Sequence, residues 1–333
     1  MRLSVLDQSP IPEGFHAGDA LRNTLDLARL ADELGYERYW LAEHHGTRGL
    51  ACNSPEVMIG QVALTTQRIR VGSGGIMLPH YSPLKVAESF SMLSSLYPDR
   101  IDLGIGRAPG SSGLVAHALR RDRRQQVVDD FADQMQELFG YFRRPMVTPF
   151  PQMRGALSLG EFHAPEISLL GSSPQSGVWA AEWGVPYVFA DFISPGGEAY
   201  AQLYRDNFEP SERLDRPRVS VALWAVCADT DAEAMRLTAS WRMMMLSLFR
   251  GHSIAVPTVE KALEFLAHEG APMEELPAGR RVIAGSPSTV RPMIEAAAAR
   301  YGADEVFLLN ILHDHAARRL SYQLIAEAFQ LKA

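Results

Sequence analysis

The chain has 333 residues, 47% of them apolar and 21% charged, enough apolar side chain for a large buried core, which excludes disordered and fibrous classes. A formal net charge of −7 gives no general attraction to phosphate backbones or anionic membranes. Cys52 and Cys227 cannot build a disulfide framework and no Cys-x-x-Cys metal spacing occurs.

The apolar stretch behind Met1 is broken at Asp7, too early for a signal peptide, and the longest near-apolar run, 219–228, is about half a membrane span. The expectation is a soluble cytoplasmic protein with neither nucleic-acid nor membrane partners. In chain order, residues 2–6 predict a strand. Asp19 is the expected N-cap of a helix carrying Leu21, Leu25, Ala28, Ala31 and Leu34, which Gly35 stops. Strand 38–43, helix 54–66 (Ser54 as cap, Pro55 in the first turn), strand 69–78, helix 83–96 and strand 101–105 follow, then a long amphipathic helix over 122–141. The same rhythm continues as strand 167–170, helix 174–183, strand 186–190, helix 196–208, strand 219–227 and helix 231–249. Helix 286–301, strand 305–309 and helix 316–331 close the chain.

Eight strands alternating with helices, without a linker between halves, imply a parallel sheet with right-handed crossovers. Eight favours closure over an open doubly wound sheet, so the fold class is an α/β TIM (β/α)8 barrel forming a single domain over 1–333. Two proline-bearing segments, 143–165 and 251–281, interrupt the rhythm as insertions, the second with a short helix at 259–269. Long irregular segments in a compact domain are commonly lids.

Barrel sites lie at the carboxyl ends of the strands. Those ends present Asp7-Gln8-Ser9, Glu43-His44-His45, Gly72-Ser73-Gly74-Gly75, Gly104-Ile105-Gly106-Arg107, Gly171-Ser172-Ser173 and Asp191. Glu43-His44-His45 is the most loaded. Neighbouring strand residues point to opposite faces, so the two histidines do not chelate one zinc easily. No metal is expected, and a histidine here reads as an acid/base or hydrogen-bonding group. Gly74 and Gly75 would admit a flat ligand against the backbone, a bulge or an unusual peptide geometry. Neither glycine stretch completes a dinucleotide fingerprint, because Met77 and Pro109 stand where the third glycine belongs. Arg107 suits an anionic ligand, with the hydroxyls and free N–H groups of the Ser173–Ser176 turn as its partner; the competing reading is plain helix capping by Ser173. Arg120, Arg121, Arg123 and Arg124 read as a solvated face beside Asp122, Asp129 and Asp130.

These stretches together resemble the bacterial luciferase-like monooxygenase family, over nearly the whole chain. The pieces are 39–45 (Tyr-Trp-Leu-Ala-Glu-His-His), 71–79, 83–88, 100–107 and 284–290; five in this order are specific where one alone is not. The resemblance implies a barrel that binds reduced FMN, or in some branches a deazaflavin, at its carboxyl end. It assigns the phosphate to Arg107, Ser173 and Ser176, the flavin ring to the backbone at Gly74 and Gly75 (often with a cis peptide), and the reacting neighbourhood to His44, with His45 beside it. Gly106 stands where luciferases carry a thiol and Ser172 where they carry an acid, which argues against light emission and a long-chain aldehyde.

The expected activity is therefore oxygenation of a small organic substrate with O2 through a C4a-peroxyflavin, which water destroys, so a covered, dry mouth is required. A separate flavin reductase would supply the reduced FMN. The alternatives are deazaflavin-dependent hydride transfer and a non-catalytic flavin-binding protein. The resemblance also implies a homodimer through helices 54–66 and 83–96, with Glu88 reaching the other subunit's His45.

Overall fold

A computed structural model describes residues 1–107, 113–119, 129–150, 163–270 and 282–332. Among the described residues nine parallel strands form: β1 (Arg2–Asp7), β2 (Arg38–Leu41), β3 (Arg70–Met77), β4 (Ile101–Gly106), β5 (Glu166–Gly171), β6 (Tyr187–Ala190), β7 (Val219–Cys227), β8 (Ile283–Gly285) and β9 (Glu305–Leu309). Eight of them pair in the cycle β1-β2-β3-β4-β5-β6-β7-β9 and back to β1, a closed parallel barrel. The ninth, β8, was not expected. Residues 220–224 of the long strand β7 pair with β9, and its last three residues pair with β8 outside the closed cycle. Three residues are too few to leave a periodic signal.

The helices are α1 (Ala17–Leu34), α2 (Pro55–Thr65), α3 (Pro83–Leu96), α4 (Gly113–Leu119), α5 (Phe131–Tyr141), α6 (Pro174–Glu182), α7 (Glu198–Asp206), α8 (Asp231–Leu237), α9 (Ala239–Phe249), α10 (Val259–His268), α11 (Pro287–Tyr301) and α12 (His315–Phe329). Four departures from expectation stand out, the first being α4, a short helix that was not expected. The N-cap of α1 is His16, and Asp19 sits one turn in, accepting the His16 N–H at 2.9 Å. The helix expected over 231–249 breaks at Thr238 into α8 and α9, where the threonine hydroxyl donates to the Met235 carbonyl at 2.7 Å and competes with the helical ladder. Of the helix expected over 122–141, α5 starts at Phe131 with Asp130 as its N-cap, while 120–128 lie outside the described residues together with the four clustered arginines. Residues 151–162 and 271–281 of the two insertions lie outside as well. Among the described residues no helix is long and apolar enough to cross a membrane.

Strand alternation divides the apolar residues into two sets. Leu3, Val5, Tyr39, Leu41, Val71 and Leu103 face the helices and join the larger core. Leu6, Trp40, Ala42, Val188, Ala222, Trp224 and Phe307 fill the barrel's interior with Trp241, Met244 and Met245 of α9 and Val256 beyond it. At the amino-terminal end the interior is closed by charge. Arg38 is 2.7 Å from Asp102 and 2.9 Å from Glu166, and within 3.2 Å of Glu305; Arg70 holds the other Asp102 oxygen. Burial alone would discharge Arg38, but the carboxylates around it raise its pKa further instead.

A second buried pair lies outside the barrel. Asp7, expected at the mouth, turns toward α1 and α12 and accepts from Arg318 at 2.7 Å, Thr24 at 2.8 Å, the Ser9 N–H at 2.7 Å and the Tyr39 hydroxyl. It is structural rather than a site residue.

Candidate functional site

A cavity of about 240 Å³ opens among the carboxyl ends of the strands. One wall is built by Gly74, Gly75, Met77 and Gly106. At one edge stand Arg107, Ser172, Ser173, Ser176 and Trp179. The remainder is apolar, with Leu6, Trp40, Ala42, Val188, Phe192 and Phe307 among its residues, and His44 enters it from β2. The structure thus brings His44, Gly74, Gly75, Arg107, Ser173 and Ser176 together, and leaves His45 off the cavity.

The phase of β2 explains the split. Trp40 and Ala42 lie inside the barrel and Tyr39 and Leu41 outside, so the same alternation carries His44 inward and Glu43 and His45 outward. Outside, Glu43 is fully buried and accepts from His45 Nε2 at 2.6 Å, the Tyr81 hydroxyl at 2.8 Å and the Met77 N–H at 2.9 Å. It ties the end of β2 to the end of β3, immediately behind the glycine wall. The carboxylate partner of His45 is thus in its own chain, while Glu88 on α3 lies 3.6 Å from Lys85. His44 Nδ1 is buried without a hydrogen-bond partner. Burial pushes the pKa of His44 down to about 4, against the Ala42 carbonyl, which raises it. At neutral pH this imidazole is uncharged, a hydrogen-bonding group and proton acceptor rather than a resident acid.

Steric room explains the glycines. The peptide between Gly74 and Gly75 is cis, and the β3–β4 register shifts between Gly74 and Ile76. A Cβ on Gly74 would stand 2.4 Å from Leu6 Cδ1, and one on Gly75 would stand 2.8 Å from the Gly104 carbonyl oxygen. The bulge and the unusual peptide geometry expected from sequence are both present, and close packing against Leu6 and Gly104 leaves no room for a side chain at either glycine. On β5, Gly171 leaves space that a Cβ would fill within 2.2 Å of Ser176 Oγ.

At the opposite edge, Ser173 is the N-cap of α6 but makes no side-chain capping bond, so plain capping does not account for its hydroxyl. Ser176 is turned inward, donating to the Ser173 carbonyl at 2.6 Å and lying 3.1 Å from the Tyr187 hydroxyl; it braces the turn. Arg107 lies 5.3 Å above the Trp179 ring and 3.3 Å from Asp129 Oδ2. Trp179 stacks on Trp183 at 5.6 Å. Trp179 was not expected at the site but was within reach, since it follows Ser176 by three positions and so shares its helix face; Asp129, expected beside a solvated arginine face, instead meets Arg107. Among the described residues no group of three or more His, Cys, Asp or Glu side chains could hold a metal ion.

The described part of the second insertion lies across the loops after β1 and β2. Ser253 Oγ accepts the Arg48 N–H at 2.8 Å and pairs with Thr47 Oγ1 at 2.9 Å, while Val256 exchanges backbone bonds with Ile11 and Glu13. Trp241, Met244 and Met245 of α9 and Val256 of this segment pack against the interior residues Leu6, Trp40 and Ala42.

Comparison with known proteins agrees with this architecture. The sequence profile described as luciferase-like monooxygenase matches residues 1–305. A protein of Escherichia coli (strain K12) named luciferase-like monooxygenase is 38% identical over 96% of this chain and 95% of its own. The N-acetyl-S-alkylcysteine monooxygenase of Bacillus subtilis (strain 168) is 35% identical over 98% of both. The crystal structure of apo-MsnO8 superposes with a TM-score of 0.90 at 39% identity, over 99% of both chains. With its closed barrel, its glycine-walled cavity at the carboxyl ends and this likeness along its length, the chain belongs to the luciferase-like monooxygenase family.

Proposed function

We propose that the protein uses reduced FMN and O2 to insert one oxygen atom into a small organic substrate, and that a separate flavin reductase supplies the FMN. The observation that carries this reading is one cavity with a cation and a helix start at one edge, a wall rich in glycine, and an uncharged histidine among apolar side chains. The donor set fits the cofactor: Arg107, the Ser173 hydroxyl and the N-terminal N–H groups of α6 suit a phosphate, and the Gly74–Gly75 wall suits a flat ring. When bound, reduced FMN supplies the two electrons that activate O2, one oxygen atom going to substrate and the other to water. The chain's own part is to anchor, orient and keep dry. Leu6, Trp40, Val188, Phe192 and Phe307 exclude water, Glu43 fixes the two strand ends that carry His44 and the glycine wall, and His44 offers a neutral imidazole to the reacting atoms. The test is 18O2 incorporation: with FMN, a reductase and a candidate organic substrate, one labelled atom should enter product. Consumption of reduced FMN without labelled product across a broad substrate panel would reject the reading.

Arg107→Ala is expected to weaken FMN binding by about 1.5–3 kcal/mol, the scale of a charged hydrogen bond. Fluorescence titration giving unchanged affinity would move the phosphate elsewhere.

A homodimer through α2 and α3 belongs to the same proposal. Its support is the apolar side chains these helices expose: Val57 and Leu64 on α2, Met92 and Leu96 on α3, each more than 60% exposed. Sedimentation should give a dimer at micromolar concentration and a monomer for the double variant Leu64→Asp, Met92→Lys; a monomeric parent protein overturns it.

A further inference from the structure

Arg107 is not a free cation. Its guanidinium is held from two sides, by the Trp179 ring at 5.3 Å and by the Asp129 carboxylate at 3.3 Å. Asp129 immediately precedes Asp130, the N-cap of α5, and Asp129 Oδ1 also lies 3.5 Å from the Phe131 N–H. A phosphate taking Arg107 would come within a few ångströms of this carboxylate. The two anions would then share one guanidinium, and the partly exposed pair (side chains 46% and 64% accessible) can exchange partners without any change in the barrel. Trp179 holds the cation through its face and does not compete, since a ring offers no charge.

We infer that Asp129 is a competitor for Arg107 that keeps the flavin phosphate loosely held. This rests on the FMN reading above, in which a separate reductase supplies the flavin, and concerns only how tightly this chain's residues hold the phosphate. Arg107 provides recognition of the phosphate, Trp179 keeps the guanidinium in place between occupants, and Asp129 limits residence time by taking the cation back. The effect should fall on the phosphate, because Asp129 meets Arg107 and is not among the residues that line the cavity beside the glycine wall.

Asp129→Asn is the informative substitution, since the amide oxygen can still face the Phe131 N–H while the charge is removed. Equilibrium titration with FMN and with riboflavin, which lacks the phosphate, separates the possibilities. The variant should bind FMN about three- to tenfold more tightly, the scale of removing one like charge near a dianion at partial exposure, and the gain should shrink as salt rises. Riboflavin affinity should stay within about 1.5-fold of the parent on the same electrostatic argument, and stopped-flow release of FMN should slow in step with the tighter binding. Unchanged or weaker FMN binding, or an equal gain for riboflavin, overturns the inference. If Arg107→Ala abolishes the preference for FMN over riboflavin while Asp129→Asn leaves it unchanged, the role of Asp129 falls and the phosphate site stands. If the parent protein shows no preference for FMN over riboflavin, both fall.

Discussion

Replacing His44 with alanine is expected to lower turnover by roughly 10²–10⁴-fold while leaving FMN affinity within a few-fold, the range for a positioned group that exchanges a proton or hydrogen bond with the reacting atoms. The expectation rests on position and state together. His44 enters the cavity from the end of β2, its Nδ1 is buried without a protein partner, and burial holds its pKa at about 4. A buried nitrogen left unpaired is costly, and a bound ligand is the partner that would relieve it. His45 is the internal control, because its Nε2 is engaged by Glu43 at 2.6 Å outside the barrel. Steady-state kinetics on both single variants decides the matter. Loss of turnover in His45→Ala with near-normal His44→Ala reverses the assignment, and normal turnover in both removes histidine from the chemistry. The low pKa adds a second readout: between pH 6 and 8 the rate should show no ionisation assignable to His44, since the imidazole is already neutral there.

Asp7→Asn should cost about 3–5 kcal/mol of folding stability, the penalty for leaving one member of a buried pair without its partner. Arg318 is 2% exposed and would lose the compensating charge of its partner, keeping neutral acceptors such as Asn310 Oδ1, 3.1 Å from its Nε. Burial raises the Asp7 pKa, but Arg318, the Tyr39 hydroxyl and the Ser9 N–H outweigh it and hold the carboxyl below the usual carboxylate range. A depressed folded pKa stabilises fully above the unfolded value of about 3.9, and that stabilisation is lost as pH falls through the folded value. Urea unfolding should therefore show a gap between parent and variant that is constant from pH 7 to about 5 and narrows below about 4. A gap under about 1 kcal/mol at pH 7, or one indifferent to acid, would mean that Asn310 alone compensates Arg318.

The barrel was legible in the sequence because alternation of strand and helix is a local property, written in apolar spacing and in breakers such as Gly35 and Pro55. Where competition was local and subtle, the expectation slipped. His16 rather than Asp19 caps α1, Thr238 divides one helix into two, and three-residue β8 left no period to detect. The chemistry-bearing residues after each strand were also legible, since a barrel puts those positions at one end whatever the details.

Phase and partnership were not. Sequence dictates that His44 and His45 face opposite ways; closure of the barrel, which places Trp40 and Ala42 inside, decides which of them meets the cavity. Sequence places Asp7 at a strand end; only the packing of α12 delivers Arg318 from 311 positions away and makes that carboxylate structural. It marks Arg107 as a cation suited to an anion; only the fold sets Asp129 and Trp179 against it. Local periodicity depends on neighbours along the chain, whereas facing, pairing and charge compensation depend on residues that meet only when the sheet closes on itself, and one sequence contains no record of those distances.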